Sequence, residues 1–267
     1  MIFDKFFLRW FLIFLIVFSA KEVLADRWKH IKDEHFIVYY SDEKDLALAR
    51  QVLTKSESYY DKIAYQLGYA RYSNFWTWEQ RAKIIIFPNQ QEFLQNTRQP
   101  SWSKGYADRD SRLFHSRTIV TYRQEQDFLD GFLPHEISHL ILGDFVGSNR
   151  KIPIWFDEGV AQLHEGDKVA VSNQLMKNLV KVNGQISLDT LVSLDVRKEK
   201  DPQRVKIFYA QSVSLVDFLL KSYGSDAFGN LCRCLRDGKG IEEALASACS
   251  LYALSDLEKK WLQYLRK

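Results

Sequence analysis

Hydrophobic positions in the first half of the chain fall into short runs separated by helical patterns. Three runs are rich in β-branched and aromatic residues, which is typical of strands: 35–40, 82–87 and 118–122. Apolar residues recur at helical spacing over 42–68, and a shorter helix is predicted over 90–96. The polar, glycine-containing segment 101–111 is predicted to be a loop.

After residue 124 every periodic segment has helical spacing. The predicted helices are 126–142, 153–164, 171–182, 188–194, 204–223, 227–236, 241–248 and 255–265. Strands followed by helices, rather than alternating with them, indicate an α+β fold. We therefore expect an N-terminal part with a mixed sheet and helices (26–145) and an all-helical C-terminal part (146–267), with the active site in the cleft between them.

The N-terminus has the pattern of a secretory signal peptide. Lys5 and Arg9 precede an apolar run over 10–20, and the segment 23–25 resembles a cleavage site. The run of eleven residues is shorter than the roughly 20 that a membrane-spanning helix needs. We expect residues 1–25 to be removed and the protein to be exported to a periplasmic or extracellular location, without membrane contact after cleavage. An uncleaved membrane anchor is the alternative.

Composition describes an ordinary globular protein. The chain has 267 residues, 46% of them hydrophobic and 27% charged. A formal net charge of +3 is too small to indicate a nucleic-acid partner. The sequence indicates no oligomeric state.

Three cysteines occur late in the chain, and export would place them in an oxidising compartment. Cys232 and Cys234 are two residues apart on a predicted helix, so they point to different sides of it. We expect one of them to form a disulfide with Cys249 and the other to remain free.

The candidate chemistry begins at His135-Glu136-x-x-His139 on the helix 126–142. Residues four apart on a helix lie on one face, so both imidazoles can reach a single ion. Glu136 lies about 100° round the helix from His135, where its carboxylate can reach a water on the metal. This is why the pattern is typical of zinc hydrolases, with the glutamate as general base. Alternatively, the histidines are ordinary helix residues.

A catalytic zinc ion needs a third protein ligand and an open position. Glu158 lies on a second predicted helix, which Pro153 opens, eighteen residues beyond His139. Its carboxylate shares a face with apolar residues, where burial without a partner would be costly and a dication would remove the cost. Gly159 and Ala161 are small, so we expect this helix to approach the histidine helix closely.

His135, Glu136, His139 and the distant Glu158 together resemble the glutamate-zincin (gluzincin) metallopeptidases, and more narrowly the peptidase MA-like domain family. The resemblance extends over residues 28–265 and includes HFIVYY, KIIIF and FYAQSVSLVDFLL. It implies a zincin-like fold, one Zn²⁺ held by His135, His139 and Glu158, and Glu136 as the base. Related peptidases use a tyrosine after the glutamate ligand, and Tyr209 is the residue that this implies.

Several positions depart from the family pattern. The G-x-M-E-N stretch of zinc aminopeptidases does not occur, which leaves the choice between endo- and exopeptidase action open. Gln162 stands where many gluzincins have an aspartate that orients a histidine ligand, so this support is expected either to be weaker or to come from elsewhere. Asp157, next to Glu158, could either support a metal ligand or be solvated, and we expect it to be solvated. Pro134 is expected to kink the helix or to begin a new helical segment.

The predicted function is exported, zinc-dependent hydrolysis of peptide bonds in a peptide or protein substrate. Zinc activates a water, Glu136 takes its proton, and Tyr209 donates to the tetrahedral intermediate. The strand 118–122 is predicted to be the sheet edge along which the peptide lies. Two alternatives remain open: Tyr209 as ordinary core packing, and the whole protein as a non-catalytic zinc-containing peptide-binding or structural protein of the cell envelope. The histidines outside the motif are expected to be surface or satisfied residues: His30, His35, His115 and His164.

Overall fold

The computed structural model describes residues 28–69, 76, 80–108, 117–123, 128–147 and 150–266. The predicted signal peptide, residues 1–25, lies outside the described residues and stays a prediction. Among the helices that are described, none is long and apolar enough to cross a bilayer.

A five-stranded mixed sheet lies in the N-terminal part, in the order β1-β2-β3-β5-β4. Its strands are β1 (Lys29–Lys32), β2 (Phe36–Tyr40), β3 (Ala82–Phe87), β4 (Gly105–Asp108) and β5 (Thr118–Tyr122). β2, β3 and β5 run parallel, while β1 and β4 pair antiparallel at the two edges. The three predicted strands are confirmed, and the two edge strands were not predicted.

The prediction of an edge strand at 118–122 is wrong. β5 pairs with β3 on one side and with β4 on the other, so β4 forms this edge of the sheet. β4 lies inside the segment 101–111 that was expected to be a loop. Glycine and aspartate at its ends give it little intrinsic strand preference, and its conformation follows from pairing of Tyr106 with Val120 on β5.

Helices fill the rest of the chain. They are α1 (Leu46–Gln66), α2 (Gln90–Thr97), α3 (Leu133–Val146), α4 (Ile154–Gln162), α5 (Lys168–Val180), α6 (Leu188–Ser193), α7 (Pro202–Arg236), α8 (Ile241–Cys249) and α9 (Leu254–Leu265). The predicted helices 204–223 and 227–236 are the two arms of α7. Gly224 separates them with φ 78°, a left-handed conformation that favours glycine. The predicted α+β fold with a helical C-terminal half is confirmed.

Side chains of β3 alternate between two cores. Ile84 and Ile86 belong to the large hydrophobic cluster, whereas Ile85 and Phe87 pack with Phe93 of α2 on the other face of the sheet. Burial on both faces explains why the strand is apolar from Ile84 to Phe87. The large cluster includes residues from both parts of the chain, from Phe36 to Leu265. The division near residue 145 stays a prediction.

The predicted disulfide to Cys249 is wrong. Cys232, Cys234 and Cys249 are all free thiols, and all three are buried in the large cluster. Each fills core space as a small apolar side chain instead of turning toward another sulfur. Burial raises the pKa of the Cys249 thiol to about 11, so it stays protonated at neutral pH.

Candidate metal centre

Two imidazoles meet at the start of α3. A π-helical turn over Phe128–Phe132 precedes this helix, and Pro134 occupies its second position, where a missing N–H costs no helical hydrogen bond. Pro134 therefore begins a new segment, one of the two expected outcomes. His135 and His139 follow one turn apart, with their ring centroids 4.7 Å apart and their planes at 82°. Their Nε2 atoms lie 3.1 Å from each other.

Glu158 brings a third ligand atom to the same place. It lies on α4, and its Oε2 is 3.9 Å from Nε2 of His135. One ligand atom from each of Glu158, His135 and His139 lies within 4.8 Å of the others, and all three residues are half-buried. Zinc binds nitrogen and carboxylate oxygen at about 2.0–2.2 Å. The two Nε2 atoms are 3.1 Å apart, and Glu158 Oε2 is 3.9 Å from Nε2 of His135. An ion placed between the atoms of either pair can therefore bind both of them.

Each imidazole is held from behind by a carboxylate. His139 Nδ1 lies 2.8 Å from Asp157 Oδ1, and His135 Nδ1 lies 2.6 Å from Glu165 Oε1. A carboxylate only accepts, so Nδ1 carries a proton in each ring, and Nε2 is the nitrogen that faces the shared space and can bind an ion there. The expectation that Asp157 is solvated is therefore wrong, and this donor set fits a divalent cation of the zinc type.

Gln162 takes no part in holding these rings. It is buried, and its Oε1 has no hydrogen-bond partner among the described residues. Support comes from elsewhere, which is one of the two expected outcomes. Glu165 was missed because it lies beyond the end of α4. Its spacing of seven residues from Glu158 was the available signal, since two helical turns return a side chain to the same face.

The site holds an excess of negative charge. Burial acts to lower the pKa of His139, but Asp157 beside it, with Glu158 and Glu136, raises that pKa to about 9. Burial raises the pKa of Glu158, against the opposing effect of the two imidazoles. With Glu165, four carboxylates surround two rings. A proton on His139 offsets part of this negative charge, and a bound dication would offset more of it.

Glu136 lies beside the ligands without belonging to them. It follows His135 on α3 and is 8% exposed, while the ligand atoms come from its neighbours. Its charge acts on both His139 and Glu158, which places its carboxylate next to the shared space. This is the position that a general base needs.

Tyr209 lies close to the site on α7. Burial raises the pKa of its hydroxyl to about 12, and the charges of Glu158 and Glu165 add to the effect. The hydroxyl is therefore a donor at neutral pH. Tyr209 also packs against the large hydrophobic cluster, so its side chain is part core and part site.

α4 approaches α7 closely at Gly159. A Cβ there would lie 2.6 Å from the carbonyl oxygen of Ser212 and 2.7 Å from Cγ2 of Val216. α4 does approach α3 closely, as expected, but Gly159 is not the residue that permits it, because Gly159 faces α7. Ser212 lies one turn beyond Tyr209, so this contact brings Tyr209 toward Glu158.

The other histidines behave as satisfied residues where they are described. His35 Nδ1 bonds Glu57 Oε2 at 2.6 Å, and the ring stacks on Tyr60. His164 is buried, and each of its ring nitrogens has a polar atom within hydrogen-bond distance. His30 contacts the ring of Tyr39. His115 lies outside the described residues.

The sequence-family model of the peptidase MA superfamily matches residues 77–267, a range that includes every residue of the site. No curated protein matches the chain.

Proposed function

The chain belongs to the peptidase MA superfamily, and from this membership and the site geometry we propose that it is a zinc-dependent metallopeptidase. One observation carries the proposal. The Nε2 atoms of His135 and His139 converge with Glu158, while Asp157 and Glu165 hold both Nδ1 atoms. Histidines packed for structure alone have no need of paired carboxylates that turn both Nε2 atoms inward.

His135, His139 and Glu158 would hold one Zn²⁺. When bound, the ion supplies a lowered pKa to a water molecule and polarises the carbonyl of the scissile peptide bond. Three protein ligands leave the fourth position open, which is the composition of catalytic rather than structural zinc sites.

Glu136 is the general base in this mechanism. It accepts a proton from the attacking water and later delivers it to the leaving amine, so one carboxylate serves both steps. Its nearly complete burial supports this role, because a carboxylate shielded from bulk water keeps the proton for the leaving group. Tyr209 donates a hydrogen bond to the oxygen that becomes negative, and its raised pKa keeps the donor protonated.

The substrate is a peptide or a protein segment in extended form. β4 is the edge strand next to β5, and it packs on α3, which carries the histidines. An extended peptide can add to such an edge through backbone hydrogen bonds. The scissile bond is then presented beside α3.

Export is also part of the proposal, with residues 1–25 as a cleaved signal peptide. The test is expression of the full chain with a C-terminal tag, followed by fractionation and N-terminal sequencing. We expect the exported form to begin near Asp26. A tagged protein that stays in the cytoplasm with its first residue intact would contradict this part and leave the enzymatic proposal standing.

The enzymatic proposal is tested by peptide cleavage with the Glu136→Gln variant beside the wild type. Glutamine keeps the size of the side chain and cannot take the proton, so we expect zinc to be retained and cleavage of casein or a peptide pool to be lost. A folded wild type that binds zinc and cleaves no peptide would contradict the proposal. That outcome would favour the non-catalytic zinc protein.

A further inference from the structure

A buried histidine joins three helices behind the metal ligands. His164 lies in the turn after α4 and is 6% exposed. Its Nδ1 lies 3.0 Å from Ser138 Oγ on α3 and 3.1 Å from the Val160 carbonyl oxygen on α4. Its Nε2 lies 3.0 Å from Oε1 of Gln66, the last residue of α1. The ring therefore has Nδ1 toward the two metal-bearing helices, α3 and α4, and Nε2 toward α1.

The two residues that contact Nδ1 of His164 lie close in sequence to the metal ligands His139 and Glu158. Ser138 directly precedes His139 and also donates to the Pro134 carbonyl oxygen at 2.7 Å, which fixes its hydroxyl on the back of α3. Val160 comes two residues after Glu158. A ring that contacts both residues sets the distance between α3 and α4, and with it the distance from Glu158 to the two imidazoles.

We propose that His164 is a positioning residue for the metal centre. Its Nδ1 contacts hold α3 and α4 at the separation at which His135, His139 and Glu158 share one ion. Zinc bond lengths vary little, so a small change in this separation weakens the site. The Nε2 contact with Gln66 anchors the ring to α1 and serves stability alone. This inference rests on the proposed function, since it requires that the site binds a metal.

Two conservative variants test the roles of the two His164 ring nitrogens separately. The amide of His164→Asn falls near the position of Nδ1 and can keep the contacts with α3 and α4. The longer His164→Gln places its amide near Nε2 and keeps only the contact with Gln66. His164→Leu removes both. We expect wild-type zinc affinity in the asparagine variant and affinities weakened about tenfold or more in the glutamine and leucine variants.

The measurement is zinc affinity by competition with a chromophoric chelator. The Co²⁺ absorption spectrum reports ligand geometry, and the melting temperature of the metal-free protein reports stability. We expect the asparagine variant to melt earlier than the wild type and to keep the Co²⁺ spectrum. The control is His35→Asn, because the ring contacts of His35 are with Glu57 and Tyr60 on α1. This variant should also melt earlier and bind zinc normally.

Several outcomes would overturn the inference. One is zinc affinity in the folded glutamine and leucine variants equal to that of the wild type. Another is equal weakening in the asparagine and glutamine variants, which would mean that the two nitrogens act alike. If the leucine variant does not fold, the asparagine and glutamine pair decides. A folded wild type without zinc affinity would instead refute the proposed function.

Discussion

Acidification from neutral pH to about pH 4 acts on His164 through its burial. Removal from water lowers the pKa of this ring to about 4, and the positive charge of Lys62 acts in the same direction. The unfolded chain takes up a proton near the ordinary pKa of about 6.5, whereas the folded ring stays neutral until about 4. The contribution of His164 to stability is therefore fully present above pH 6.5 and is lost as the pH falls toward 4. At about 1.4 kcal/mol per pH unit, the loss is about 3 kcal/mol.

The assay is urea unfolding of metal-free protein across this pH range, wild type beside His164→Asn. Asparagine does not titrate, and the carboxylates of the site titrate in both proteins and cancel in the difference. We expect the free energy of unfolding of the wild type to fall by about 3 kcal/mol relative to that of His164→Asn between neutral pH and pH 4. If the two proteins lose stability in parallel, His164 is not held neutral by burial and the reasoning fails.

Four further substitutions test other contacts of the site. Gly159→Ala places a methyl group against the backbone of Ser212. We expect the free energy of unfolding in urea to fall by about 1–3 kcal/mol and zinc binding to weaken. Unchanged values would mean that α4 and α7 are not tightly packed there. Asp157→Asn and Glu165→Gln should each weaken zinc affinity about 10–100-fold in chelator competition while circular dichroism is unchanged, and wild-type affinity would refute the role of these carboxylates. Tyr209→Phe should lower kcat about 10²–10³-fold at unchanged KM and zinc content, and a wild-type kcat would leave Tyr209 with core packing alone.

Strands whose conformation depends mainly on their own side chains could be predicted from the sequence. β2, β3 and β5 are rich in β-branched and aromatic residues, and their predicted bounds agree with the structure to within one residue. β4 could not be predicted, because a strand that begins with glycine and ends with aspartate takes its conformation from its partner β5.

The same division holds in the site. Helical spacing within α3 is enough to put His135 and His139 on one face, and glutamate at the right distance suggested the third ligand. The carboxylates behind the rings depend on how α4 is rotated against α3, which a single sequence does not encode locally. Asp157 was therefore expected in solvent, and Glu165 was missed.

The central claim is that His135, His139 and Glu158 together hold one divalent cation, and metal analysis of the purified protein tests it most directly. After exposure to zinc and removal of the excess by dialysis, we expect the wild type and the control His35→Asn to carry one zinc ion per chain. His139→Ala and Glu158→Ala should carry almost none while retaining their helical content. A folded wild type that takes up no zinc, or variants that keep a full equivalent, would contradict the account.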